Sequence, residues 1–330
     1  MVVAGDRFSL WKPTVTAVLS AVLFFVATFI VGAVVAWLAR SFTESSIALN
    51  MIPLFVGSLL VSAILLRAPP GNQWSALGLD SDLVRPLLVG LSLGAGICGL
   101  IVVTMQLAGW ASWTAIDAAV IRFDWRESIG TGLLLLAIGA AGEELFVRGY
   151  FLQQLGRAIT PTGAIAATSI VFALLHASNP NTTWIATLNT ALYGSIFGLA
   201  VLWHRSLWMS FGIHYAWNCA EALLGANISG LTIRLTELNL ESTGAAWLTG
   251  GEYGPEAGLI GTVGAIAMVA ILWFVPRREV KTALLWEFES DFTMEAVDAS
   301  DASLADAIGS GGATAGQNRE ADGRAESSSS

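Results

Sequence analysis

Apolar residues run in long unbroken blocks along this chain, and polar residues collect in the short stretches between them. Crossing roughly 30 Å of hydrocarbon takes about 20 helical residues. Blocks of that order recur near 14–38, 49–66, 84–107, 129–156, 162–178, 184–203, 207–224 and 256–275. The pattern predicts an all-α polytopic transmembrane helix bundle of about eight spans. The first block is too long for a signal-peptide core and no small-residue cleavage pattern follows it, so it is expected to be retained. The organisation reads as N-terminal spans over 1–128, a four-helix core over 129–224, an outer loop and last span over 225–286, and a tail over 287–330. Within the loop 225–255 a short hairpin is expected around Leu231–Leu240.

Composition sharpens this. Apolar residues make up 55% of the 330 and charged residues only 12%, with a mean hydropathy of +0.66. A soluble domain carries about 25% charge, so this chain lacks the water-facing groups to cover its own surface. A soluble enzyme, a nucleic-acid binder and a disordered regulator are excluded, and membrane lipid becomes the expected surroundings. The net charge of −9 is concentrated at one end. Residues 287–330 hold ten acids and two bases, which leaves the rest of the chain at −1. A segment so rich in Ser, Gly, Ala and acid cannot bury enough apolar area to order itself, and disorder is expected there. Cys98 and Cys219 both sit in apolar blocks and read as buried free thiols.

Lys and Arg in the connections favour the cytoplasmic side. With both termini in the cytoplasm, the inner side collects Arg7, Lys12, Arg67, Arg85, Arg148, Arg157, Arg205, Arg277, Arg278 and Lys281, against Arg40, Arg122, Arg126 and Arg234 outside. A multi-pass protein of the cell membrane in that orientation is the expectation. Trp37, Trp110, Trp184 and Trp273 near span ends read as interface anchors.

An ionisable residue inside a span costs roughly 2.5–3.5 kcal/mol and marks a functional candidate. The central spans hold few: Glu143, Glu144 and Arg148 in the fourth, His176 in the fifth, and His214 with Asn218 in the seventh, Glu221 being further along. His204, beside Arg205 at an inner turn, reads as interfacial. Glu144 and Arg148 are four apart and share a helix face, as do His214 and Asn218, and Phe172 and His176. Glu143 is turned about 100° from Glu144 and points elsewhere. Glu143 and His176 stand equally far from the turn at 158–161, about 25 Å of helix at 1.5 Å per residue, and therefore at matching height. His214 and Asn218 follow the turn at His204–Leu207 and also fall inside the membrane. An acid, two imidazoles and a carboxamide are expected to meet in one wet cavity.

Hydrolysis inside a membrane needs a group to activate water and donors for an oxyanion. No HExxH zinc motif, GxSxG elbow or pair of intramembrane aspartates is present. A glutamate base with a histidine partner remains, with a second histidine and an asparagine as donors. Glu143-Glu144-Leu145-Phe146-Val147-Arg148 resembles the EExxxR motif of the CPBP family, the CaaX proteases and bacteriocin-processing (Abi) enzymes. Phe172 to His176 resembles its FxxxH motif, and His214 to Asn218 its HxxxN motif, in the family's order. The resemblance covers about 129–224. It implies a Ras-converting type of intramembrane endopeptidase acting on membrane-associated or prenylated CaaX C-termini. Carried over, Glu143 is the general base that holds water with His176, and His214 and Asn218 form the oxyanion hole. Glu144 and Arg148 are then an ion pair that supports the helix and substrate.

Other readings stand beside this one. Glu143, His176 and His214 match a His₂Glu zinc set, although a metal-free mechanism with no cofactor gives Asn218 a role that zinc does not require. Glu144–Arg148 alone is a structural ion pair, Asn218 alone is interhelical glue, and Phe172 is packing. A bacteriocin-processing or immunity protein, a transporter using Glu143 and His176 as a proton relay, and an inactive scaffold are the remaining function classes. A relay would tolerate loss of Asn218, whereas a protease would not.

Overall fold

The computed structural model of the chain describes residues 6–43, 46–67, 74–115, 125–277 and 283–287. The predicted acidic tail, from 288 onward, lies outside the described residues. The helices are α1 (Asp6–Ala39), α2 (Ser46–Leu65), α3 (Val84–Leu107), α4 (Trp125–Glu144), α5 (Leu152–Ala158), α6 (Pro161–His176), α7 (Trp184–His204), α8 (Leu207–Leu224), α9 (Ala246–Thr249) and α10 (Leu259–Phe274). The only paired strands among the described residues are β1 (Ala111–Ala115) and β2 (Leu238–Ser242). The fold is an all-α polytopic helical bundle, and each of the eight predicted blocks is helical.

Among the described residues five stretches are long and apolar enough to cross a membrane: Thr14–Ala39, Ala48–Leu65, Val84–Leu107, Ile129–Ala158 and Trp184–His204. Pro161–His176 and Leu259–Phe274 are apolar but shorter, and the 18 residues of α8 carry the polar groups of the core. Leu19, Val22, Leu23 and Ile30 on α1 and Val263, Ile266 and Phe274 on α10 turn outward. Such apolar outer faces fit an integral membrane protein. Trp37, Trp184 and Trp273 are exposed near helix ends, as interface anchors are.

The predicted fourth span is not one regular helix. Its α-helical part stops at Glu144, and Leu145–Phe151 continue as a π-helical segment in which Gly149 leaves helical geometry (φ −74°, ψ −119°). Aromatic packing fills the offset. Phe146 lies 5.9 Å from Phe24 and 5.2 Å from Phe25 of α1, and Phe151 packs 5.5 Å from Phe25. Interruptions of this kind recur at functional sites, and here it follows directly on the paired glutamates.

Sequence-local chemistry sets the turns of the core. Thr160 caps α6 by accepting the Gly163 N–H at 3.0 Å, with Pro161 in the first turn, where its missing N–H costs nothing. Thr183 caps α7 through the Ala186 N–H at 3.1 Å. Arg205 ends α7 in the left-handed region, Ser206 caps α8, and Gly225 ends α8 at φ +79°. The turn between α7 and α8 is more buried than the sequence implied. His204 is not interfacial: it is 1% exposed, and its Nε2 donates to the Leu272 carbonyl of α10 at 3.2 Å. Cys98 and Cys219 are buried free thiols, as expected.

Helix α3 fixes α8. A Cβ at Gly90 or Gly94 would collide with the Met209 or Ile213 carbonyl oxygen, and one at Gly212 with that of Leu87. The helices therefore touch backbone to backbone, the small-residue packing favoured in lipid. The segments that leave α3 and α8 consequently emerge side by side. That explains why β2 pairs antiparallel with β1, from Ala111↔Ser242 to Ala115↔Leu238. The expected local hairpin around Leu231–Leu240 is not formed; 228 and 231 share one isolated bridge instead.

Candidate active site

Glu144, the last residue of α4, is 1% exposed and accepts hydrogen bonds from three directions. Arg148 Nη1 reaches Oε1 at 3.2 Å, His214 Nδ1 donates to the same oxygen at 2.9 Å, and the Ser210 hydroxyl donates to Oε2. Arg148 is fully buried. Its Nη2 donates to the Gly194 carbonyl at 3.1 Å, and its guanidinium lies 4.2 Å from the ring centre of Phe172 and 5.0 Å from that of Phe197. The predicted ion pair is present, and it is one corner of a larger network. Because Arg148 faces the interior, it is no longer a loop charge, and the number of basic residues on the predicted inner side falls from ten to nine.

Glu143, one residue earlier, faces the other way. Its Oε2 lies 3.8 Å from His176 Nε2 and 3.8 Å from His214 Nε2. That oxygen is buried and has no hydrogen-bond partner among the described residues, while the side chain as a whole is 30% exposed. The expected height match across the α5–α6 turn therefore holds for Glu143 and His176 despite the π segment between them.

Ring tautomers follow from the partners, since a carbonyl or carboxylate oxygen can only accept. His176 Nδ1 donates to the Phe172 carbonyl at 2.8 Å, leaving Nε2 of the neutral ring with its lone pair toward Glu143. His214 Nδ1 donates to Glu144, so its Nε2 donates only when both ring nitrogens carry protons. Phe172 is packing with a purpose: its ring lies 4.5 Å from that of His176 and 6.2 Å, edge-on, from that of His214. Phe197 stacks on His214 at 4.8 Å and 10°. Asn218 lies one turn beyond His214 on α8 and is half-buried. Among the described residues its carboxamide makes no hydrogen bond to the other three, so three of the four expected groups meet.

Donors at 2.0–2.1 Å from a tetrahedral zinc stand about 3.3 Å apart. The two nitrogen–oxygen separations here are wider, at 3.8 Å. Among the described residues no group of three or more His, Cys, Asp or Glu could hold a metal ion. The donor set does not fit zinc as it stands.

Several participants were not singled out from the sequence. Ser210 is four residues before His214 and so shares its face, a spacing that could have identified it. Gly194 leaves room for Arg148, whose Nη2 would lie 3.1 Å from a Cβ there. A second buried acid, Glu256, accepts from Trp217 Nε1 at 2.9 Å and from Ser229, and Glu221 of α8 adjoins it. Glu221 is fully buried, and neither of its oxygens has a hydrogen-bond partner among the described residues.

Residues 125–220 match the family model Rce1-like, described as type II CAAX prenyl endopeptidase Rce1-like. All three motifs noted above fall inside this segment, so the family read from them is the one whose model matches, and it is a protease family. No curated protein matches the chain.

Proposed function

We propose that this chain is an intramembrane endopeptidase that hydrolyses peptide bonds of membrane-associated substrates, with CAAX-type trimming of prenylated C-termini as its reaction. The observation that carries the reading is Glu143 Oε2, buried without a hydrogen-bond partner among the described residues and 3.8 Å from two imidazole nitrogens. A carboxylate in that position is a general base in search of a proton. The matched segment, 125–220, supports the same reaction class.

In the proposed reaction Glu143 and the His176 Nε2 lone pair accept hydrogen bonds from the two O–H groups of the attacking water, which leaves the water's own lone pair for the scissile carbonyl carbon. As the C–O bond forms, Glu143 takes one proton and the carbonyl oxygen becomes an oxyanion. His214 Nε2–H and the Asn218 carboxamide N–H donate to that oxyanion. For His214 this requires a ring with protons on both nitrogens, its Nδ1–H being held by Glu144. Glu143 then returns its proton to the leaving nitrogen as the C–N bond breaks. No step needs a metal ion. Partly exposed Glu143 and His176 give the substrate its access, while membrane lipid and prenylated or other membrane-associated peptides are the proposed partners. Nine basic residues against four favour both termini in the cytoplasm.

The test uses the full chain in detergent or liposomes with a peptide that ends in a prenylated cysteine and three further residues, beside its unprenylated twin. Release of the terminal tripeptide, read by mass spectrometry, is expected from the unaltered chain and not from Glu143→Gln. Failure to cleave either peptide, or equal cleavage by both forms of the protein, overturns the reading.

A further inference from the structure

Glu256 lies outside the matched segment, in the turn Pro255–Ala257 that leads into α10. Its side chain is tied to two distant parts of the chain. Oε2 accepts the Trp217 Nε1–H of α8 at 2.9 Å, and Oε1 accepts both the N–H and the hydroxyl of Ser229, at 2.8 and 2.7 Å. The backbone is held as firmly. Asn189 Nδ2 of α7 donates to the carbonyls of Glu256 and Gly258 at 2.7 and 2.9 Å, and Thr262 Oγ1 fixes that carboxamide at 2.8 Å. Glu221 and Tyr253 also face the carboxylate; burial pushes the Tyr253 phenol up to about 12, so it stays uncharged there.

Both arms of this carboxylate end beside the candidate site. Trp217 immediately precedes Asn218 and follows His214 by three residues, with its indole packed 4.8 Å from Tyr193. On the other arm the Ser229 carbonyl accepts Asn179 Nδ2–H at 2.8 Å, and the Asn179 N–H bonds back to the His176 carbonyl at 3.0 Å. Ser229 sits at φ +47°. That conformation is strained for a non-glycine residue and persists only where the surroundings over-determine it. The two bonds to Glu256 supply that constraint.

We propose that Glu256 is a positioning residue for the hydrolytic site: one carboxylate that holds the His176 end of α6 in register with the Asn218 turn of α8. The inference rests on the endopeptidase reading for its catalytic consequence, but the coupling itself is physical and measurable without turnover. A purely structural Glu256 would lower the fraction of folded protein and leave kcat per folded molecule alone.

The experiment uses the full chain in detergent as Glu256→Gln, Trp217→Phe, the double variant and Asn179→Ala. Amide exchange over 177–183, thermal unfolding, and kcat and KM on the prenylated peptide are measured for each. Expected for Glu256→Gln are exchange about tenfold faster over 177–183 and kcat about tenfold lower per folded molecule, with KM within about twofold. The double variant is expected to be no slower than the slower single one, because Glu256→Gln already removes the acceptor of the bond that Trp217→Phe deletes. Unchanged exchange, a kcat that falls only with the folded fraction, or single effects that multiply would each overturn the proposal. If Glu256→Gln does not fold, Asn179→Ala decides by the same exchange and kcat readouts, since it cuts the other arm and leaves the carboxylate in place. An unaltered chain that cleaves nothing counts against the endopeptidase reading, whereas exchange over 177–183 still decides the coupling.

Discussion

His214 gives its Nδ1 proton to Glu144 across 2.9 Å, and in doing so ties α8 to a residue 70 positions earlier in the chain. The bond sets both the tautomer and the tilt of the ring whose Nε2 faces Glu143. Glu144→Gln keeps the shape but replaces the charged acceptor of the His214 Nδ1–H by a neutral amide. The expected result is a kcat lower by roughly 10²-fold or more with KM little changed. Steady-state kinetics on the prenylated peptide checks this; a variant that loses only KM would show that Glu144 serves substrate binding instead.

Glu143→Gln and Asn218→Ala separate a protease from a proton relay. Loss of one oxyanion donor typically costs about 2.7–4 kcal/mol of barrier, so Asn218→Ala is expected to cut kcat by about 10²- to 10³-fold. Glu143→Gln is expected to cut it by at least as much. Proton flux into liposomes that survives Asn218→Ala but not Glu143→Gln, without peptide cleavage, would transfer the site to transport.

Arg148 carries a stability prediction. Breaking a buried ion pair by removing one partner costs about 3–5 kcal/mol, because the other charge stays buried. Arg148→Met is expected to destabilise by that order, with Glu144 left to His214 and Ser210 and the ring faces of Phe172 and Phe197 left without their cation. Thermal and denaturant unfolding in detergent measures it. A loss below about 1 kcal/mol would mean that the remaining two donors satisfy the carboxylate.

Glu221 predicts the opposite sign. It is buried against Glu256, and neither of its oxygens has a hydrogen-bond partner among the described residues. Glu221→Gln keeps the volume, removes the like-charge conflict and supplies a donor toward Glu256. The variant is expected to unfold at the same or a higher temperature than the unaltered chain. A loss greater than about 2 kcal/mol would indicate that Glu221 holds a cation in solution.

Chelation separates the two hydrolytic mechanisms. Cleavage is expected to survive prolonged dialysis against a strong zinc chelator with kcat unchanged, in keeping with the separations of 3.8 Å around Glu143. Activity lost to the chelator and restored by zinc would reinstate the His₂Glu site.

Helix positions and the pairing of Glu143 with His176 were legible because they depend on near-neighbour spacing and on one short turn. An apolar block announces its helix, and residues four apart share a face whatever the fold. The contact between Glu144 and His214 was not legible, because it depends on where α8 lies against α4. That placement follows from α3, where Gly90 and Gly94 let the backbone of α8 approach. The small-xxx-small pattern was readable in the sequence, but its partner helix was not. The β1–β2 pairing was missed for the same reason: it joins segments about 125 residues apart that meet only because their helices do. Glu256 escaped notice because a lone acid in the turn Pro255–Ala257 has no spacing that marks it.

The π segment has one more consequence. Each residue added to or removed from a helix turns everything beyond it by about 100°. The extra winding at Leu145–Phe151 therefore works as a phase shifter: the part before it aims the two acids at α6 and α8, while the segment itself aims Phe146 and Phe151 at α1. Deleting a single residue there would leave hydropathy, length and every motif nearly intact, yet the two halves could no longer both face their partners.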